Sequence, residues 1–410
     1  MANNFRETFK ALQIPEYRRY FYANGISSVG TWMQRLGMSW LVYRLTDSAN
    51  WLGIITFTGW FSSFLLMPWA GAMLDGGSRR QILVVSQLVG FLQAMALALM
   101  TIYGIIDVAW LVILSLVLGL VNAFDMPGRH AFVSDVVTDK KFLANAIALN
   151  STAFNLARLV GPAAAGLIVA KWGEGICFLI NSLSFLPFAW VLYSMKLEEI
   201  LPATDTKRES FKKRIIEGFR YSAGHKLIMQ TFILLSTASF MGMSIHMVLF
   251  PIIADRQLGG GAVTLGYISA SMGLGAVVGA LFLASRRSIS GLEKLPPIAF
   301  GIYGIMTAFL SQTNSLFVGL ALTTVMGACI VFGWAASNTL LQTIAAKDKL
   351  SRVMSIYMMC FSGMSPLGSL FMGWFSTRTS TAMAMLVGGG SCILVALYCM
   401  RNTPSPAEMT

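Results

Sequence analysis

The chain has 410 residues, of which 56% are hydrophobic and only 12% charged. Soluble domains usually carry about 25% charged residues, so an ordinary soluble protein is excluded and a chain that crosses a bilayer many times is implied. The formal charge of +12 does not point to nucleic acid: when apolar runs of about 20 residues are read as spanning helices, most lysines and arginines fall on one side, as the positive-inside rule describes.

Twelve such runs are found. The first ten residues lack the apolar core and cleavage site of a secretory signal, so no processing is expected. An amphipathic approach, Phe5 to Tyr17, leads into a first span from Arg18 to Leu45 that holds Gln34 and Arg35. The second and third runs, Trp51 to Ala70 and Ile82 to Ile102, are joined by G-A-M-L-D-G-G-S-R-R from Gly71 to Arg80. The fourth runs from Val108 to Phe124, where Pro127 and Gly128 are expected to stop the helix. The fifth, Phe142 to Ala170, carries Arg158 and the run A-R-L-V-G-P-A-A-A-G from Ala157 to Gly166. Its small residues let a neighbouring helix approach closely, and Pro162 removes one backbone hydrogen bond and is expected to kink the span. The sixth ends near Met195, and a long basic segment, Lys196 to Lys226, follows. Within it Phe211, Ile215, Ile216 and Phe219 recur at helical spacing, which predicts a basic amphipathic linker helix. Six more runs are centred near residues 240, 274, 304, 328, 363 and 390.

The second half repeats the first weakly. S-R-R at Ser285 answers S-R-R at Ser78, and Pro366 sits in the eleventh run much as Pro162 sits in the fifth. The expected architecture is therefore an all-α polytopic membrane protein of twelve transmembrane helices in two six-helix pseudo-repeats. Its divisions are residues 1–195, a cytoplasmic linker at 196–226, and residues 227–410, with both termini cytoplasmic. Cys177, Cys329, Cys360, Cys392 and Cys399 lie in apolar runs without C-x-x-C pairs or His clusters, so neither disulfides nor a metal site is expected.

Charges inside spans are rare and usually functional, each costing about 2.5–3.5 kcal/mol at the helix centre. Arg35 and Arg158 each lie roughly 17 residues into their spans, near mid-depth at a 1.5 Å rise, and no carboxylate sits at that depth. Two permanent cations without a counter-charge favour a substrate bearing carboxylates, catecholates or phosphate. The neighbouring polar residues Gln34, Asn150, Asn155, Asn181 and Asn338 and the aromatic Trp32, Phe154 and Trp334 complete the candidate substrate-binding set. Histidine is the side chain whose ordinary pKa lies nearest neutrality, so His246, with Asp125, is a candidate for proton coupling.

Two rival readings are weaker. His130 and Asp135 have the H-x-x-x-x-D spacing of glycerolipid acyltransferases, but no second acyltransferase motif accompanies them. The Gly259 and Gly388 runs do not form a repeated ion filter. There is no Walker loop, so any drive comes from a gradient and no nucleotide or other cofactor is expected.

The Gly71–Arg80 loop resembles the loop between the second and third helices of the major facilitator superfamily, G-x-x-x-D-R-x-G-R-R. Gly71, Asp75, Arg79 and Arg80 match, whereas Gly76 and Ser78 depart. The Gly161, Pro162 and Gly166 pattern is similar to the fifth-helix motif of the antiporters in that superfamily. S-S-V-G-T-W-M-Q from Ser27, N-A-F-D-M-P-G-R-H from Asn122 and L-F-P-I-I-A-D from Leu249 look like the bacterial branch that includes the enterobactin exporter. The resemblance implies an inner-membrane transporter working by alternating access, with the first and fifth helices lining its cavity and export of siderophores or drugs as common assignments. It also implies a gate built from Gly71, Asp75, Arg79, Arg80, Asp125, Gly161, Pro162 and Gly166, with Asp125 pairing to Arg79 or Arg80. Asp75 is expected to meet the eleventh helix near Leu350 to Val353. The expected substrate is an anionic small molecule such as a siderophore, driven by a proton gradient and moved by a monomer. Multidrug efflux, siderophore uptake and lysophospholipid transport are the alternatives.

Overall fold

The computed structural model of the protein describes residues 9–195, 211–285, 291–346 and 349–402, apart from the side chains of Pro68, Ala72, Asp75, Gly76, Ala284 and residues 211–215. The described residues form helices and no β-strand. In chain order these are α1 (Pro15–Thr46), α2 (Ala49–Gly76), α3 (Arg79–Ile102), α4 (Val108–Val136), α5 (Lys140–Trp172), α6 (Glu174–Ser194) and α7 (Phe211–Ala223). There follow α8 (Lys226–Val248), α9 (Gly261–Ser285), α10 (Leu295–Leu310), α11 (Leu316–Ile344), α12 (Leu350–Arg378) and α13 (Thr381–Arg401). Among the described residues, ten helices are long and apolar enough to cross a membrane. The two that fall short of the expected twelve do so for different reasons. Helix α10 is apolar but has 16 residues. Helix α1 has 32 residues, ample length at 1.5 Å each, but Arg18, Arg19, Asn24, Gln34 and Arg35 dilute its apolar character.

The helix ends follow local chemistry. Asp107 and Asp139 cap α4 and α5 by accepting from Trp110 N at 2.9 Å and Lys141 N at 3.1 Å, and Ser380 caps α13 through Met383 N. Such caps satisfy backbone N–H groups that the helix itself leaves open. Gly173, at φ +83°, supplies the left-handed turn between α5 and α6.

Pro127 and Gly128 do not stop the fourth helix: α4 runs unbroken through both to Val136. Pro costs a helix interior one hydrogen bond. Close packing offsets this, because the Gly128 backbone lies so near Leu83 that a Cβ there would come within 2.9 Å of it. The correction moves Arg129 from a loop into a helix.

Packing divides the chain into two units. Unit 1 comprises residues 1–47, 58–204 and 265–270; unit 2 comprises 48–57, 205–264 and 271–410. In unit 1, α1 packs along both α5 and α6. Its first turns are locked by buried Tyr17 and Tyr20, whose hydroxyls donate to Ala146 O at 2.7 Å and Arg129 O at 3.0 Å, among Phe132, Phe188 and Leu192.

In unit 2, α8 and α12 each contain a π-helical turn, Ala238–Met243 and Met359–Gly363. Such turns leave carbonyls outside the regular ladder. Here Ser239 Oγ bridges the two by donating to Phe361 O at 2.9 Å, and the helices approach so closely that a Cβ on Gly368 would lie 1.9 Å from Phe240 O. The linker helix α7 docks on the start of α12. Glu217 pairs with Arg352 at 2.8 Å, and Tyr221 Oη accepts from Ala346 N at 3.1 Å. The docked face is thus Glu217, Gly218 and Tyr221, while Ile216 and Phe219 of the predicted apolar stripe are exposed.

Candidate substrate site

Helix periodicity brings three elements of unit 1 around one cavity. Asn24, Ser28, Trp32 and Arg35 recur along one face of α1; Asn122, Asp125, Arg129 and His130 along one face of α4; Asn150 and Phe154 one turn apart on α5. At its Arg35 end, the guanidinium lies 4.7 Å from the Trp32 ring centre and 4.6 Å from that of Trp60 on α2. Trp32 also meets Phe154 edge-on at 5.9 Å and takes Arg158 at 5.8 Å. Two cations therefore share one indole. Each such contact contributes about 0.5–2 kcal/mol, less than the cost of embedding the charge. Among the described residues, neither Arg35 nor Arg158 has a carboxylate or hydrogen-bond acceptor as partner.

At the opposite end the chemistry is closed. Arg129 Nε donates to Asp125 Oδ2 at 2.7 Å, Nη1 to Asn24 Oδ1 at 2.6 Å, and Nη2 to Ser27 Oγ and Gln87 Oε1, each at 3.1 Å. Gln87 Nε2 donates to Asp125 Oδ1 at 2.5 Å, and Asn24 Nδ2 to Asn150 Oδ1 at 2.8 Å. The Phe188 ring lies 4.5 Å from this guanidinium. One arginine thus ties α1, α3 and α4 together, with α5 joined through Asn24.

The predicted residues divide accordingly. Trp32, Phe154, Arg35 and Asn150 line the cavity, and Arg158 touches its Trp32 wall. Gln34 and Asn181 face elsewhere: Asn181 Nδ2 donates to Gln34 Oε1 at 2.6 Å, Gln34 Nε2 to Gln93 Oε1 at 2.9 Å, and Gln93 Nε2 to Leu114 O at 3.2 Å. This second buried network satisfies them, so they hold helices together and do not line the cavity. Asn155 bonds its own helix at Ser151 O. In unit 2, Asn338 accepts from Gln342 at 2.8 Å, and Trp334 is buried among Phe300, Tyr357 and Phe361. The indole N–H of Trp334 has no partner among the described residues. His246 meets Phe250 edge-on at 5.9 Å.

The profile of the transmembrane secretion effector family, within the major facilitator superfamily, matches residues 6–408. The chain belongs to this family. It is similar to the staphyloferrin A transporter of Staphylococcus aureus, 25% identical over 93% of this chain and 95% of that protein. It is also similar to the multidrug efflux pump Tap of Mycolicibacterium fortuitum, 24% identical over 85% and 86%. Two solved structures share the fold. The peptide transporter POT, as a mutant, gives a TM-score of 0.77 at 13% identity over 96% of this chain and 95% of its own. The nucleoside transporter NupG gives 0.71 at 13% identity over 94% and 98%.

In this transporter the residues expected to form a gate make contacts other than the expected ones. Asp125 pairs with Arg129, one helical turn away, and with neither Arg79 nor Arg80. Arg79 instead bonds Asp135 at 2.8 Å and Leu74 O at 3.2 Å, and Arg80 donates to Met195 O. The side chain of Asp75 lies outside the described residues. Asp135 is thus engaged by Arg79, which leaves the acyltransferase spacing with His130 without its orienting contact. Gly161 lets α5 press on α1, since a Cβ there would lie 2.6 Å from that of Trp32. Within unit 1, a Cβ on Gly266 would lie 2.9 Å from Pro162 O and 3.0 Å from Gly166 Cα. Helix α5 continues through Pro162 to Trp172.

Arg129 was not singled out by the sequence. Its signal was available in Asn24 and Gln87, polar side chains inside apolar runs, which need partners in lipid. Among the described residues no group of three His, Cys, Asp or Glu is placed to hold a metal.

Proposed function

We propose that this transporter moves an anionic small molecule, a siderophore-like chelator being the first choice, across the inner membrane, with export favoured. The observation that carries the reading is the Arg35 guanidinium held between Trp32 and Trp60 beside Arg158, without an acceptor for its donors. A guanidinium offers five N–H donors in a fixed fork. Contact with the two rings satisfies none of them, and a carboxylate, catecholate or phosphate supplies the missing acceptors bidentately. The relative named for staphyloferrin A agrees with such a cargo. A second reading, efflux of amphipathic drugs, is favoured by the aromatic walls Trp32, Trp60 and Phe154 and by the Tap relative. Two facing cations oppose a cationic drug.

In this reading the chain is a monomer of two six-helix halves with both termini cytoplasmic, working by alternating access. A proton gradient drives it, with Asp125 and His246 as the candidate carriers, and Gly71, Asp75, Arg79, Arg80, Gly161, Pro162 and Gly166 belong to the gate. The test is uptake of carboxylate and catecholate chelators, lysophospholipid and cationic dyes into proteoliposomes of known orientation. An imposed proton gradient is expected to drive accumulation of the anions. Accumulation with the gradient collapsed, or of the cations alone, overturns the proposal.

A further inference from the structure

Helices α5 and α6 flank α1 without closing over it. The result is a groove of about 410 Å³ whose floor is Tyr22, Gly25, Ile26 and Val29 and whose walls include Ala153 and Ile180. That volume is within the roughly 300–1,000 Å³ of small-molecule sites. The lining is almost wholly apolar. The Ser184 hydroxyl at the edge donates to Asn181 O at 2.7 Å, within its own helix. Gly25 has nothing within 4 Å of where a Cβ would stand, and Tyr22 and Ile26 are more than half exposed.

The groove has a direction. Arg18, Tyr22, Gly25, Val29 and Met33 recur at i, i+4, i+7, i+11 and i+15, one stripe along α1. At a 1.5 Å rise, Tyr22 to Met33 spans roughly 16 Å, about one leaflet of a 30 Å hydrocarbon core. At the mouth of the stripe stand two exposed cations. Arg19 donates to Ser194 Oγ at 2.9 Å, at the end of α6, while Arg18 has no acidic partner among the described residues.

We propose that this groove seats one acyl chain of a glycerophospholipid whose phosphate is held by Arg18 and Arg19. An apolar slot one leaflet deep with cations only at its mouth has the charge pattern of that molecule. The transported cargo of the preceding section, with its several anionic groups, does not fit an apolar lining. The seat is separate from the Arg35 cavity, on a different face of α1, and requires only that α1 cross the bilayer.

The experiment is native mass spectrometry of delipidated transporter titrated with phosphatidylglycerol. Wild type is expected to retain one lipid at least tenfold more tightly than a neutral alkyl glycoside. Gly25→Leu, which fills the slot, is expected to abolish that preference, and Arg18→Ala with Arg19→Ala to weaken it several-fold, while Leu394→Ala on α13 leaves it unchanged. Wild type alone provides a second readout. A phosphatidylglycerol with a diazirine in its acyl chain is expected to label the Gly25–Ile26 peptide ahead of other lipid-exposed segments. Equal retention by Gly25→Leu, no effect of the arginine pair, or labelling spread evenly over the surface each overturn the proposal.

Discussion

The two ends of the unit 1 cavity hold embedded arginines in opposite states. Arg129 spends its donors on Asp125, Asn24, Ser27 and Gln87, whereas Arg35 and Arg158 meet only aromatic faces. The costs of embedding these charges are similar, so the difference lies in what repays them. A guanidinium whose partners are all protein groups stabilises one arrangement of helices. One whose donors are unmet leaves binding energy for a ligand.

The largest expected effect is at Arg129. Arg129→Ala leaves a buried carboxylate without its cation and is expected to destabilise the protein by about 3–5 kcal/mol, seen as a lowered midpoint in thermal unfolding in detergent. The double variant Arg129→Met with Asp125→Leu is expected to lose clearly less than the two single changes added together, because the pair is coupled. Additive losses break the comparison at its structural end. Next is Gln34→Leu, which strands Asn181 and Gln93. It is expected to cost about 1–3 kcal/mol of stability with cargo affinity unchanged, and a loss of affinity at constant stability would return Gln34 to the binding set. Arg35→Ala is expected to do the reverse. Its stability change stays under about 1 kcal/mol, since lost cation–π contacts are offset by release of the embedding cost, while anion affinity falls by about tenfold, or 1.4 kcal/mol. The smallest effect is at the partly buried Glu217–Arg352 pair of unit 2, where Glu217→Gln keeps an acceptor oxygen for Arg352 and is expected to cost no more than about 1 kcal/mol.

The same contrast explains what was legible in the sequence. Arg35 and Arg158 stand out because a charge inside an apolar run is costly wherever its partners are, and Trp32 and Phe154 lie one helical turn from them. Arg129 was hidden by local chemistry. Pro127 and Gly128 read as a helix stop, yet α4 continues through both, with Gly128 packed close to Leu83 and Leu74. That Gln34 and Asn181 lie in a buried network and not on the cavity lining was hidden for a related reason. Composition shows that an amide is embedded, but its direction depends on which neighbouring helix carries Gln93, a tertiary fact. The α1 face that carries Arg35 is about 100° around the helix from the face that carries Gln34, and spacing alone does not say which is lined by a cavity. The docked side of α7 was invisible likewise, because Glu217 finds Arg352 across 135 positions of sequence.

The most direct test of the division between structural and ligand-seeking arginines is the shift in unfolding temperature produced by a saturating tri-carboxylate or catecholate chelator, since a ligand stabilises in proportion to its affinity for the folded form. Wild type and Gln34→Leu are expected to show the same upward shift, and Arg35→Ala and Arg158→Ala a shift reduced or lost. A full shift in both arginine variants, or a larger shift with a cationic dye than with any anion, would contradict the account.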